Sequence, residues 1–70
     1  MSLVRAPLPD LAAGERELPP ETSRYLCRVL RLGPGDRFVA FDPATHLEAE
    51  ATILVASADE ARARLEAPRP

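Results

Sequence analysis

The chain has 70 residues, 46% of them apolar and 29% charged, with a net charge of −2. A chain this short buries only about 60% of its unfolded surface, which argues against a deep catalytic pocket and points to one small surface-reading domain. A single cysteine, Cys27, excludes a disulfide framework and a thiolate zinc cluster. No apolar run approaches the ~20 residues of a membrane span, and no signal-peptide layout is present, so the chain is expected in the cytoplasm, away from membranes.

Eight prolines divide the chain into short elements. Leu3–Arg5 and Glu15–Leu18 each read as a short strand, joined through Pro9, Asp10 and Gly14. After Pro19-Pro20, which suits a first helical turn, Glu21 to about Leu30 has helical periodicity. At ~100° per residue, Tyr25, Leu26, Val29 and Leu30 fall on the core side, and Arg24, Arg28 and Arg31 share an opposite arc. Gly33-Pro34-Gly35-Asp36 is a strong stop and turn, and Arg31 stands at or beyond the last helical turn. Cys27 reads as a half-buried helix residue.

Arg37–Asp42, with Phe38, Val39 and Phe41, reads as a strand buried on both faces. A turn over 43–46 leads to Leu47–Ser57, whose period of two places Leu47, Ala49, Ala51, Ile53 and Val55 on one face. Glu60–Glu66 is contested. Its composition favours a helix with Asp59 as N-cap. Its alternation, with Ala61, Ala63 and Leu65 inward and Arg62 and Arg64 outward, favours a strand and is preferred. The sum is a mostly β domain of five or six strands and one helix, closed or nearly closed into a small barrel.

No nucleotide loop or metalloprotease motif is present. His46 reads as a solvated turn histidine, and Glu48 and Glu50 as a solubilising strand face. One feature stands out. All nine basic residues are arginine, and Arg24, Arg28, Arg31 and Arg37 lie within fourteen residues that hold one acid, Asp36, a local charge of +3 on an otherwise acidic chain. Guanidinium groups donate in pairs to phosphate and stack on bases, so this segment can follow an RNA backbone. Taken alone, the residues favour the plainer reading, a solvated face opposite an apolar one.

The string Tyr25-Leu26-Cys27-Arg28-Val29-Leu30-Arg31-Leu32-Gly33-Pro34-Gly35-Asp36, followed by Phe41-Asp42 and Glu48-Ala49-Glu50-Ala51, resembles the amino-terminal PUA-like domain of the bacterial small-subunit ribosomal RNA (uracil-N3)-methyltransferases. That family carries His-Leu-x-Arg-Val-Leu-Arg, a Gly-Asp turn and Phe-Asp in this order. Here Tyr25 stands for the usual histidine, and Pro43 for the usual glycine after Phe-Asp.

The resemblance implies a small PUA-like β-barrel with one short α-helix, spanning 1–70, that helps hold small-subunit ribosomal RNA. It implies that S-adenosylmethionine, methyl transfer and homodimer formation belong to a separate carboxy-terminal domain. This chain is then expected to be a monomer without a cofactor or catalytic residues of its own. Arg28 and Arg31 are the RNA contacts implied by the resemblance, and Arg24 and Arg37 flanking phosphate contacts by charge and spacing. The competing reading is a structural or protein-interaction barrel whose arginine face docks an acidic partner. A stand-alone enzyme is disfavoured for want of a reactive cluster.

Overall fold

In a computed structural model, which describes residues 3–70, the chain forms β1 (Arg5–Pro7), β2 (Gly14–Glu17), α1 (Pro20–Ser23), β3 (Arg37–Asp42), β4 (Leu47–Val55) and β5 (Arg62–Leu65). A π-helical segment over Arg24–Val29 continues α1 without a break. The strands make one five-stranded sheet in the order β1-β3-β4-β5-β2. Only the β1–β3 pair is parallel.

The sheet wraps around its own inner face. Phe38, Ile53 and Leu65 are buried there beside Ala6, Ala40, Ala49, Ala51, Ala61 and Ala63. Six alanines take little volume, so the strands can curl closely around one phenylalanine, and Leu8, Leu18 and Leu26 complete the packing. Close packing at near-crystalline density makes such a core sensitive to any lost volume.

β1 and β2 are the two edges, and the helix stands across the gap between them. Thr22 Oγ1 donates to the Pro7 carbonyl on β1 at 3.4 Å. On the other side, the fully buried Ser23 hydroxyl donates to the Leu18 carbonyl just after β2 and accepts the Ala61 N–H beside β5. A helix that bonds both edges completes the enclosure, and among the described residues no sixth strand takes part.

The strand prediction at the amino terminus is displaced by two residues. The ladder runs from Arg5 to Pro7, with Val4 C=O and Leu8 N–H also bonded to β3. Alternate backbone groups of an edge strand point away from its neighbour, so proline at position 7 removes no ladder bond. The contested element at 60–66 is a strand, with Ala61, Ala63 and Leu65 buried and Arg64 exposed. Burial of three apolar side chains against β4 outweighed helix propensity, and Ser57 Oγ caps a turn there by accepting the N–H groups of Asp59 and Glu60.

Three burial expectations are corrected. Val55 is exposed because a bulge after Ile53 sets it opposite the outward Arg62. β3 is buried on one face only, through Phe38, Ala40 and Asp42, while Val39 and Phe41 are half-buried. Tyr25 and Val29 are 41% and 64% exposed, and Leu26 and the half-buried Cys27 face inward with Leu30. The physical reason is that Thr22 and Ser23 belong to the buried side: Thr22, Ser23, Leu26, Cys27 and Leu30 share one face of the helix, and Tyr25 and Val29 fall outside it. Leu30 N–H bonds Tyr25 C=O, the i→i+5 link of a π-turn.

Arg31 ends the helix with φ 58°, a left-handed cap usually given to glycine, and Leu32 N–H reaches back to Leu26 C=O. A type II turn follows, with Pro34 and Gly35 (φ 91°) at its centre and Asp36 N–H donating to Gly33 C=O. Asp36 Oδ2 also accepts the Gly33 N–H at 2.7 Å, which locks the turn.

Two stability outcomes follow. Leu26→Ala should cost about 2–5 kcal/mol, whereas Val29→Gln should change stability by less than about 0.5 kcal/mol; equal losses in urea unfolding would refute the placement of Leu26 inside and Val29 outside. Ser23→Ala leaves the Ala61 N–H buried without its acceptor and should cost about 1–3 kcal/mol. Amide exchange at Ala61 should accelerate with it.

Candidate RNA-binding face and groove

The sheet surface neutralises most of the arginines. Arg5 pairs with Glu48 at 2.9 Å, Arg62 with Glu17 at 3.3 Å and Arg64 with Glu15 at 3.4 Å. Arg37 Nη2 lies 2.7 Å from Glu50 and 3.0 Å from Glu66, and Arg69 approaches Glu50 at 4.0 Å. Arg16 donates to the Pro9 and Asp10 carbonyls and pins the β1–β2 loop. Such exposed pairs contribute little to stability. They do leave the outer face of the sheet close to neutral.

Among the described residues, Arg24, Arg28 and Arg31 have no carboxylate partner. All three are exposed. Arg24 and Arg28 are four apart on the π-helical segment, close to one full turn, so their side chains rise from the same side. Arg31 does not complete the predicted helical stripe. Its left-handed backbone puts it beyond the helix end, where it flanks the pair. Arg37 is part of the sheet surface, held by two glutamates.

Beside this face lies a groove that the periodicity did not suggest. Its central part, about 350 Å³, is walled by Arg5 and Pro7 of β1, Glu21, Thr22 and Tyr25 of the helix, and Phe41 of β3. It exists because the helix crosses the sheet's opening with its Thr22–Tyr25 flank toward β1. The Arg5 guanidinium sits 5.2 Å from the centre of the Phe41 ring while also pairing with Glu48, so an aromatic and a cation are fixed together in one wall. A second depression, walled by Pro9, Pro19 and Pro43, shares Pro7, Glu21 and Thr22 with it. On the other side a third, smaller depression shares Arg5 and Phe41 with it and reaches His46.

Sequence periodicity missed the groove because it put Tyr25 and Val29 on the core face of the helix, whereas burial of Thr22 and Ser23 turns that face away and leaves the Tyr25 ring exposed. His46 is an exposed turn residue with φ 60°. Glu48 and Glu50 are spent on Arg5 and Arg37. Among the described residues no three histidine, cysteine or carboxylate side chains converge as metal ligands, and no helix is long and apolar enough to cross a membrane.

Comparison with solved structures finds the same fold at the level of the whole chain. A putative methyltransferase from Legionella pneumophila, solved with bound S-adenosylmethionine, superposes with a TM-score of 0.87 at 22% identity, over 99% of this chain and 29% of that one. Ribosomal RNA small subunit methyltransferase E from Neisseria gonorrhoeae, also solved with S-adenosylmethionine, gives 0.82 at 26% identity, over 96% of this chain and 28% of that one. A predicted RNA methyltransferase from Thermotoga maritima gives 0.67 at 17% identity, over 99% and 30%. The chain therefore spans under a third of the length of each. No match was found among the curated proteins. The family model described as the RNA methyltransferase PUA domain matches residues 18–66, from just after β2 through β5 and including the whole helix. With that match over most of its length, the chain belongs to the RNA methyltransferase PUA domain family.

Proposed function

We propose that the chain is the RNA-binding accessory domain of a small-subunit ribosomal RNA uridine N3-methyltransferase. In this reading the domain holds ribosomal RNA while a separate domain binds S-adenosylmethionine, forms a homodimer and transfers the methyl group in the cytoplasm. Family membership and the likeness to the Neisseria enzyme support it. The observation that carries it is the selective lack of partners at Arg24, Arg28 and Arg31 on a chain whose remaining arginines are engaged with carboxylates or carbonyls.

The physical role is positioning. Three exposed guanidinium groups offer paired donors to phosphate oxygens and release counterions on contact. Such contacts hold a backbone in register without reading its sequence. Arg37 is an auxiliary contact in this scheme, since a phosphate there competes with Glu50 and Glu66. Chemistry on the base is left to the separate domain, and none of its steps runs through residues of this chain.

The test is RNA binding as a function of salt. For about three phosphate contacts on single-stranded RNA, log affinity against log salt should have a slope of roughly −2, at about −0.7 per contact. Arg28→Gln should lower the affinity and flatten the slope by one contact, whatever the RNA sequence. Arg31→Gly should do the same while leaving the fold as stable or more so, because glycine adopts the left-handed cap without the ~1–2 kcal/mol penalty of an L side chain. Arg62→Gln, which removes an arginine paired with Glu17, should have little effect. Equal losses for Arg28 and Arg62 would mean diffuse attraction. No loss for either would transfer the face to docking of an acidic protein.

A further inference from the structure

The groove beside the arginine face has the chemistry of a base-binding site. Resting on the RNA-binding reading above, we infer that the groove between the helix and β1 takes one unstacked nucleobase of single-stranded RNA, with Tyr25 as the stacking surface and Glu21 as the selector for a base that carries an exocyclic amino group.

Size is the first support. A volume of about 350 Å³ lies at the low end of ligand sites, which run from roughly 300 to 1,000 Å³, and so suits one nucleotide-sized group. Shape is the second. Further depressions adjoin it on both sides along the β1 edge, each sharing wall residues with it. All three are open to solvent, so a strand can lie along this edge with one base in the central groove.

The third support is the placement of unlike groups. Tyr25 keeps 41% of its surface exposed at the groove although it is the one tyrosine in a chain without tryptophan. An exposed aromatic at an RNA-facing groove offers a face on which any base stacks. The Arg5 guanidinium, held over Phe41, gives the opposite wall a planar cation. Arg24 and Arg28 lie one residue before and three after Tyr25, so phosphates on that face are adjacent to a base in the groove.

Selectivity comes from Glu21. Its carboxylate has no ion-pair partner among the described residues, and the residue lines both the central groove and the adjoining depression. An ionised carboxylate only accepts hydrogen bonds. Cytosine presents an amino donor at N4, whereas uracil presents carbonyl oxygen there and can offer the carboxylate only its N3–H, flanked by two carbonyl oxygens that repel it. Cytidine should therefore bind better than uridine in this trough.

The decisive measurement uses tyrosine emission, which reports on Tyr25 alone. The domain is titrated at low salt with cytidine and uridine hexanucleotides, with correction for RNA absorbance, and affinities are read in parallel by fluorescence anisotropy of end-labelled RNA. The expected result is quenching of Tyr25 emission on binding and about tenfold tighter binding of the cytidine oligomer, as a charged hydrogen bond supplies. Tyr25→Phe, which keeps a stacking ring, should bind within about twofold of the parent. Tyr25→Ala should bind about 5- to 150-fold more weakly. Glu21→Gln should reduce the cytidine preference toward one, while Arg28→Gln should lower both affinities and keep both the preference and the quenching at saturation. Salt-sensitive binding with unchanged Tyr25 emission, or an affinity that Tyr25→Ala leaves intact, overturns the base site and leaves the phosphate face standing. Equal cytidine and uridine affinities overturn the role of Glu21. Absence of salt-sensitive binding to either oligomer overturns the phosphate face and the base site together.

Discussion

The Ser23 hydroxyl is fully buried and bonds the Leu18 carbonyl on one side and the Ala61 amide on the other. Leu18 and Ala61 also bond each other directly through Leu18 N–H and Ala61 C=O, so one side chain joins the helix to the end of β2 and the start of β5. A buried hydroxyl without partners is costly, and one that satisfies two backbone groups is strongly specified in position. Thr22, the neighbouring residue, reaches the opposite edge at Pro7. Two consecutive hydroxyl residues thus hold the helix between the edges of a five-stranded sheet, and the orientation of everything on that helix depends on them.

That placement generates both functional features. Because the helix bridges the sheet opening, its Thr22–Tyr25 flank meets β1 along a trough instead of packing flat against a sheet face. Because its other flank faces water, Arg24 and Arg28 find no carboxylate, while the acidic strands supply partners to Arg5, Arg37, Arg62 and Arg64. A chain of net charge −2 can therefore present a positive face: the acidic residues are paired where strands bring them together across the sheet. The π-helical segment adds a turn of unusual width at this place, and such segments are frequent at functional sites.

Much of the domain was legible in the residue order. Alternation at Leu47–Ile53 and at 60–66, the Gly33–Asp36 turn and the arginine cluster all act over short sequence distances, and local patterns report local constraints. Even the contested final strand followed its period of two, because burial of Ala61, Ala63 and Leu65 in the curled sheet needs that alternation. Family motifs between Tyr25 and Ala51 agreed with the match over 18–66.

Tertiary structure decided the rest. Nothing local shows that Thr22 and Ser23 belong to the buried side of the helix; their bonds to Pro7, Leu18 and Ala61 turn Leu26 and Cys27 to the core and leave Tyr25 and Val29 exposed. The bulge that turns Val55 outward depends on its register with Arg62, a partner on another strand. Which arginines are free was equally invisible, since pairing is set by strands adjacent in space and as far apart in sequence as Glu15 and Arg64. Sequence determined the strands, the turn and where positive charge is concentrated, because these rest on neighbours within a few residues. The trough and the unpaired cations required the sheet to close on its helix, because contacts between distant segments alone decide which side chains meet and which are left facing solvent.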